Sequence, residues 1–208
     1  MSDVESATAG YVTLSHVMTT DLGRPRNRQI DEAVLTATAE LIGEMPYAEL
    51  SVDAIAQRAG TSKPAIYRRW PSKAHLVHEA VFPIGRATEI PSTGSLADDI
   101  RAMVRRVAAV LTAPPARAAL PGLIAEMAAD PTLHAALLNR FGDIITRGVG
   151  EFLRDAAERG EARPDVSGED LAEAVAGITL VSLLTRGAAP DDGWMDRAAT
   201  LIMRGIST

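Results

Sequence analysis

Ser51-Val-Asp-Ala-Ile-Ala-Gln-Arg-Ala-Gly60-Thr-Ser-Lys-Pro-Ala-Ile-Tyr67-Arg-Arg-Trp70-Pro-Ser-Lys73 is the stretch that decides the fold. Ser51 is a good N-cap, because a hydroxyl can accept one of the N–H groups that a helix start leaves unpaired. Val52, Ile55 and Ala56 then fall on one helical face, and Gly60 is a natural left-handed stop. Ser62 caps a second short helix, Lys63 to Trp70. Pro64 lies in its first turn, where a missing N–H costs little, and Pro71 ends it. Two short helices joined by a three-residue turn meet at a steep angle and present the second one outward. Val52, Ile55, Ala56, Ala59, Ile66 and Trp70 face inward; Lys63, Tyr67, Arg68 and Arg69 face outward. That division suits a helix laid in the major groove of double-stranded DNA, with long side chains against base edges. On geometry alone, a helical hairpin with a charged solvent face is the plainer alternative.

The surroundings of this stretch are helical too. Of 208 residues, 47% are hydrophobic and only 4% aromatic, with abundant alanine, which favours helices over sheets. Ile30, Val34, Ala37, Leu41 and Ile42 make an apolar stripe on a helix from about Asn27 to Glu44, and a fourth helix runs from Lys73 to about Arg86. Pro91 to Ser95 reads as a linker. Five further helices follow, about Leu96–Thr112, Ala116–Ala129, Pro131–Arg159, Glu169–Arg186 and Trp194–Ile206. The long one carries glycines at 142, 148 and 150, where a kink or a close helix crossing is expected. The expected fold is therefore all-α with about nine helices. Residues 1–23 form a flexible tail, with Met18 as an alternative start to Met1. Residues 24–87 form a helix-turn-helix unit with its connecting fourth helix, and residues 95–208 a second helical domain.

Net charge is −6, which sits badly with a nucleic-acid partner until it is mapped. Arg24 to Lys73 holds 8 basic and 6 acidic residues, and the remainder 13 and 21, so the acidic balance belongs elsewhere. Lys63, Arg68, Arg69 and Lys73 stand in a run with no acid among them. Arg24, Arg26 and Arg28 alternate, so in an extended chain three guanidiniums would face one partner as an arm on DNA backbone or minor groove; a solvated helix start is the plainer alternative.

Other chemistries find little support. The absence of cysteine excludes disulfides and thiolate sites and fits a cytoplasmic protein. The acidic start is unlike a secretory leader, and the longest uncharged apolar stretch, Ala174–Thr185, is too short for a bilayer, so no membrane partner is expected. His75 and His78 share a helix face but lack a third ligand nearby, so no metal and no cofactor is expected. There is no phosphate loop, nucleophile elbow or spaced carboxylate pair to suggest an enzyme.

In the C-terminal part, Met103, Met127, Phe141, Ile145 and Phe152 are bulky and adaptable. They suit a small-molecule pocket and equally a core. Leu171, Val175, Ile178, Val181, Leu201 and Ile202 lie on the last two helices among small residues. They suit a four-helix homodimer interface, with a protomer core as the alternative.

The segment from Gly60 to Lys73 resembles the signature of the TetR family of bacterial transcriptional regulators. The shared features are a Gly, a hydroxyl cap, a small residue, an aliphatic–Tyr pair, an aromatic, and Ser-Lys opening the next helix; Leu76 falls where the family expects leucine. The match covers about Ile30 to Val81, with Trp70 where Phe is usual and Pro64 where Gly often stands. The resemblance implies a homodimeric repressor on a palindromic operator, released by a small-molecule effector. Carried over by position, Lys63 and Pro64 would meet base edges and Arg69 a base or phosphate. Tyr67, Lys73 and Ser51 would hold the DNA backbone, with Thr61, Ser62 and Arg68 beside them.

Overall fold

The computed structural model describes residues 24–82 and 93–208; the side chains of residues 24–27, 138, 140, 141 and 143–147 lie outside the description. Among the described residues there are nine helices. They are α1 (Arg24–Glu44), α2 (Val52–Arg58), α3 (Lys63–Tyr67), α4 (Lys73–Val81), α5 (Leu96–Thr112), α6 (Pro114–Ala129), α7 (Pro131–Glu158), α8 (Gly168–Arg186) and α9 (Asp192–Ile206). The all-helical expectation is met. Helix α1 starts at Arg24, three residues before the expected point, and α3 is shorter than expected. The shortening has a local cause: a residue preceding proline is pushed out of the α region, so Trp70 before Pro71 cannot continue the helix.

Most helix starts are set by one side chain. Ser95, Asp130 and Asp191 accept from backbone N–H groups two or three residues on, and Ser167 and Asp170 form a reciprocal capping box. Helix α5 turns 78° into α6 at Ala113, where Pro114 and Pro115 occupy first-turn positions that need no donor.

Two apolar cores result. The first gathers Val34, Leu41 and Ile42 of α1, Ile55 of α2, Ile66 of α3, and Leu76 and Val77 of α4. It also takes Ala116, Ala119 and Leu123 from α6 and Leu133 and Leu137 from the start of α7. The second gathers Ile100 and Val104 of α5, Phe152 and Leu153 of α7, Leu171 and Val175 of α8, and Trp194 and Ile202 of α9. Helix α7 thus begins in one core and ends in the other. A Cβ at Gly168 would lie 2.7 Å from the backbone N of Gly150, so α7 and the start of α8 cross closely where the glycines of α7 led one to expect it.

Between α1 and α2, Tyr47 packs closely against Gly122 of α6. Tyr47 is buried, and a Cβ at position 122 would fall on its ring and within 2.9 Å of its Cβ. Pro121 precedes this glycine inside the helix. In an open helix Gly→Ala gains about 1 kcal/mol. Here the added methyl must displace a buried ring, and overpacking of that kind costs ~1–3 kcal/mol. Gly122→Ala is therefore expected to lower the thermal midpoint by several degrees in a scanning-calorimetry comparison; an unchanged or raised midpoint would show that Tyr47 steps aside freely.

Candidate nucleic-acid interface

The helix-turn-helix is set by hydrogen bonds within its own few residues. Ser51 accepts from Ala54 N–H at 3.2 Å and Ser62 from Ala65 N–H at 3.3 Å. Helix α2 closes on Gly60, at φ 65°, with Thr61 N–H donating to Ala56 C=O at 2.9 Å and Gly60 N–H to Gln57 C=O at 3.3 Å. This pair of bonds is the Schellman closure that a left-handed glycine permits, and it turns the chain abruptly into α3. Ile66 is buried against the first core, as is Trp70, whose indole N–H donates to Glu79 at 2.7 Å. With that side anchored, Lys63, Pro64, Tyr67 and Arg68 are left exposed, together with Ser51 and Ser62. Thr61 is half-buried in the turn.

The exposed face carries a charge pair that its own helix does not contain. Lys63 Nζ donates to Asp53 Oδ2 at 2.7 Å, bridging the first turns of α3 and α2. The Asp53 carboxylate, by hydrogen bond and then by charge, holds the Lys63 ammonium above the usual lysine range. Arg68 lies at the end of α3, exposed and with no ion pair among the described residues.

Three expectations are corrected. Arg69 does not project outward with Lys63. Its guanidinium pairs with Asp31 of α1 and donates to Ala65 C=O at 3.2 Å, leaving the side chain only 20% exposed. The reason is a partner from a distant stretch: residues 68 and 69 lie in the turn after α3, where Asp31 of α1 meets the guanidinium. Lys73 is likewise engaged internally. Its ammonium donates to Tyr47 C=O at 3.1 Å, sits 4.1 Å from the Tyr47 ring centroid and 3.9 Å from Glu126 of α6. Finally, Arg24, Arg26 and Arg28 do not alternate along an extended arm, because the chain is already helical at Arg24. Arg28 is exposed; the side chains of Arg24 and Arg26 lie outside the described residues.

Residues that the sequence did not single out now matter. Asp53 and Asp31 are the acids that meet Lys63 and Arg69. Glu44 accepts two bonds from Arg58, at 3.0 and 2.9 Å, tying α2 to α1. Tyr47 is the hub between α4 and α6; burial first, and then the Glu126 carboxylate, push its hydroxyl well above the usual tyrosine range. None of these pairs has a regular spacing in sequence, so only the fold brings them together. His75 and His78 do not act together: Ser72 Oγ lies 2.9 Å from His75 Nδ1, whereas His78 is buried beside Phe82.

The C-terminal candidates separate between the two cores. Met103 and Phe152 are buried in the second core, while Met127 packs against the first. The side chains of Phe141 and Ile145 lie outside the described residues. Of the interface candidates, Leu171, Val175 and Ile202 are buried in the second core and Ile178 packs against it, so the protomer itself covers them. Val181 and Leu201 are exposed, at 58% and 64%, and Leu184, which the sequence reading passed over, is 57% exposed. Helical register explains the split: 171, 175 and 182 share one face of α8, and 181 and 184 another.

Comparison with known proteins agrees with this geometry. Residues 34–80 match the family described as "Bacterial regulatory proteins, tetR family", and residues 90–202 match "Tetracyclin repressor-like, C-terminal domain". The chain is 35% identical over 174 residues to the DNA-binding transcriptional repressor TetR of Mycobacteroides abscessus, covering 79% of this chain and 87% of that one. It is 30% identical over 148 residues to an HTH-type transcriptional regulator of Mycobacterium tuberculosis, covering 71% and 72%. The crystal structure of the TetR family transcription regulator SCO0332 superposes with a TM-score of 0.68 at 28% identity, covering 85% of this chain and 98% of that one. The capped two-helix unit, the all-helical layout of the described residues and these matches together establish the protein as a DNA-binding transcriptional regulator of the TetR family.

Proposed function

We propose that the protein is a repressor that binds a palindromic operator as a homodimer and is released by a small molecule bound in its C-terminal helices. The observation that carries the DNA reading is the exposed face of α3, held by its caps and by buried Ile66 and Trp70. Lys63 reads guanine acceptors in the major groove, and Pro64 presents an apolar surface to a thymine methyl. Tyr67, Arg68, Ser51 and Arg28 contact phosphate and set the register, with Thr61 and Ser62 shaping the turn. Arg69 and Lys73 support this face from behind. Lys73 and Tyr47 link α4 to α6, so a shift of α6 on effector binding would reach the helix-turn-helix through them.

Support for the dimer is the exposure of Val181 and Leu184 on α8 and of Leu201 on α9. Large aliphatic side chains more than half exposed on neighbouring helices suit a self-complementary two-fold contact. Support for repression is the relative from Mycobacteroides abscessus, which is named a repressor.

A gel shift on the DNA upstream of the gene itself, run at two salt concentrations, should give a sequence-dependent complex that weakens steeply with salt. No complex on any duplex at low salt would remove the reading. Lys63→Ala should relax discrimination at one base pair per half-site by ~1–3 kcal/mol. Arg68→Ala should weaken all sequences alike and flatten the salt slope by about 1. Lys73→Ala should instead act mainly through stability, lowering the thermal midpoint. Leu201→Asp should convert the dimer to monomer in native mass spectrometry and weaken operator binding with it.

A further inference from the structure

Apart from Arg68, the cations from Arg58 to Lys73 meet acids from outside their own run. Arg58 meets Glu44 and Glu40, Arg69 meets Asp31, and Lys73 lies near Glu126. The Arg58 pairs tie α2 to α1, that of Arg69 ties the turn after α3 to α1, and that of Lys73 ties α4 to α6. Asp53 with Lys63 is different. Both side chains are largely exposed, at 69% and 46%, and the pair lies on the surface that α3 turns outward. An exposed ion pair contributes little to stability. A negative group also sits poorly on a surface meant for polyanionic DNA. Asp53 lies in the first turn of α2, where a carboxylate complements the helix dipole, but that position alone does not require it to hold Lys63.

We infer that Asp53 is a specificity-determining residue that positions Lys63 toward base edges and withholds it from phosphates; the inference rests on the DNA-binding reading above. A lysine ammonium has three donors. Asp53 takes one and fixes the direction of the other two. At the operator, a guanine edge can accept from Lys63 while the pair with Asp53 stays intact. On other DNA no acceptor stands there. Lys63 could reach a phosphate only by leaving Asp53, whose carboxylate would then face the duplex unpaired. Asp53 therefore weakens binding to every sequence that lacks the right base, and raises discrimination without adding a contact of its own.

The test uses the full-length protein with two 30-base-pair duplexes on the order of a single site in length. One is the sequence that the wild-type chain selects from a random pool, the other a scrambled version of it. Fluorescence anisotropy over a salt series is expected to show that Asp53→Asn binds the scrambled duplex more tightly, with a salt slope steeper by about 0.9, the value for one further neutralised phosphate. The selected duplex should change little, so the ratio between the two falls several-fold. Adding Lys63→Met to Asp53→Asn should abolish the steepening, because the freed lysine causes it. Asp53→Ser is measured in parallel, with melting curves for each variant, to keep a folding defect apart. An unchanged slope and ratio in both single variants overturns the inference. A steepening that survives Lys63→Met also overturns it, since the carboxylate would then act only as bulk charge. A wild-type chain that selects no sequence and binds no DNA at low salt overturns the DNA-binding reading, and the inference with it.

Discussion

The packing of Tyr47 onto the backbone of Gly122 is the constraint on which the arrangement of this molecule depends. It places a buried aromatic ring where α6 has no side chain and, one residue earlier, a proline without an N–H. On the same tyrosine, the carbonyl and the ring face both engage Lys73 at the start of α4, and Glu126 approaches from α6. The first turn of α4 is thereby held against α6. Since Ser72, which caps α4, follows Trp70 and Pro71 directly, the end of α3 is held as well.

Much of this was legible in the order of residues, and for a physical reason. Caps, left-handed glycines and prolines act over two to five residues, so Ser51, Gly60, Ser62, Pro64, Pro71 and Ser72 announce their own structure. The helical stripes of α1 and α7 are equally local. The direction of long cations is not local. Arg69 belongs to an outward cationic run on a local reading, but Asp31, thirty-eight residues earlier in the chain, meets its guanidinium from α1. Lys73 looked free for the same reason: its partners, Tyr47 and Glu126, come from distant stretches. A run of cations with no acid in it is therefore a statement about one segment, and the surface it belongs to is assembled from several.

The C-terminal helices show the same limit in apolar form. Every aliphatic residue of α8 and α9 is compatible with a core and with an interface, and periodicity alone does not say which stripe the protomer covers. Leu171, Val175 and Ile202 went inward, while Val181, Leu184 and Leu201 stayed out. The difference is a rotation of a single residue's arc about the helix axis, set by where α5 and α7 lie.

The way the first core is completed bears on how this regulator can be taken apart. Its apolar surface is not closed by α1 to α4 alone, because Ala116, Ala119, Leu123, Leu133 and Leu137 are built into it. A head cut out at the linker after α4 would carry Tyr47 and its neighbours bare to water, an adhesive surface and not a finished unit. Grafting this helix-turn-helix onto another regulator is thus a matter of transplanting α6 and the first turns of α7 along with α1 to α4. The two apolar cores share α7, although the proline- and glycine-containing stretch from Pro91 to Ser95 lies some forty residues before that helix.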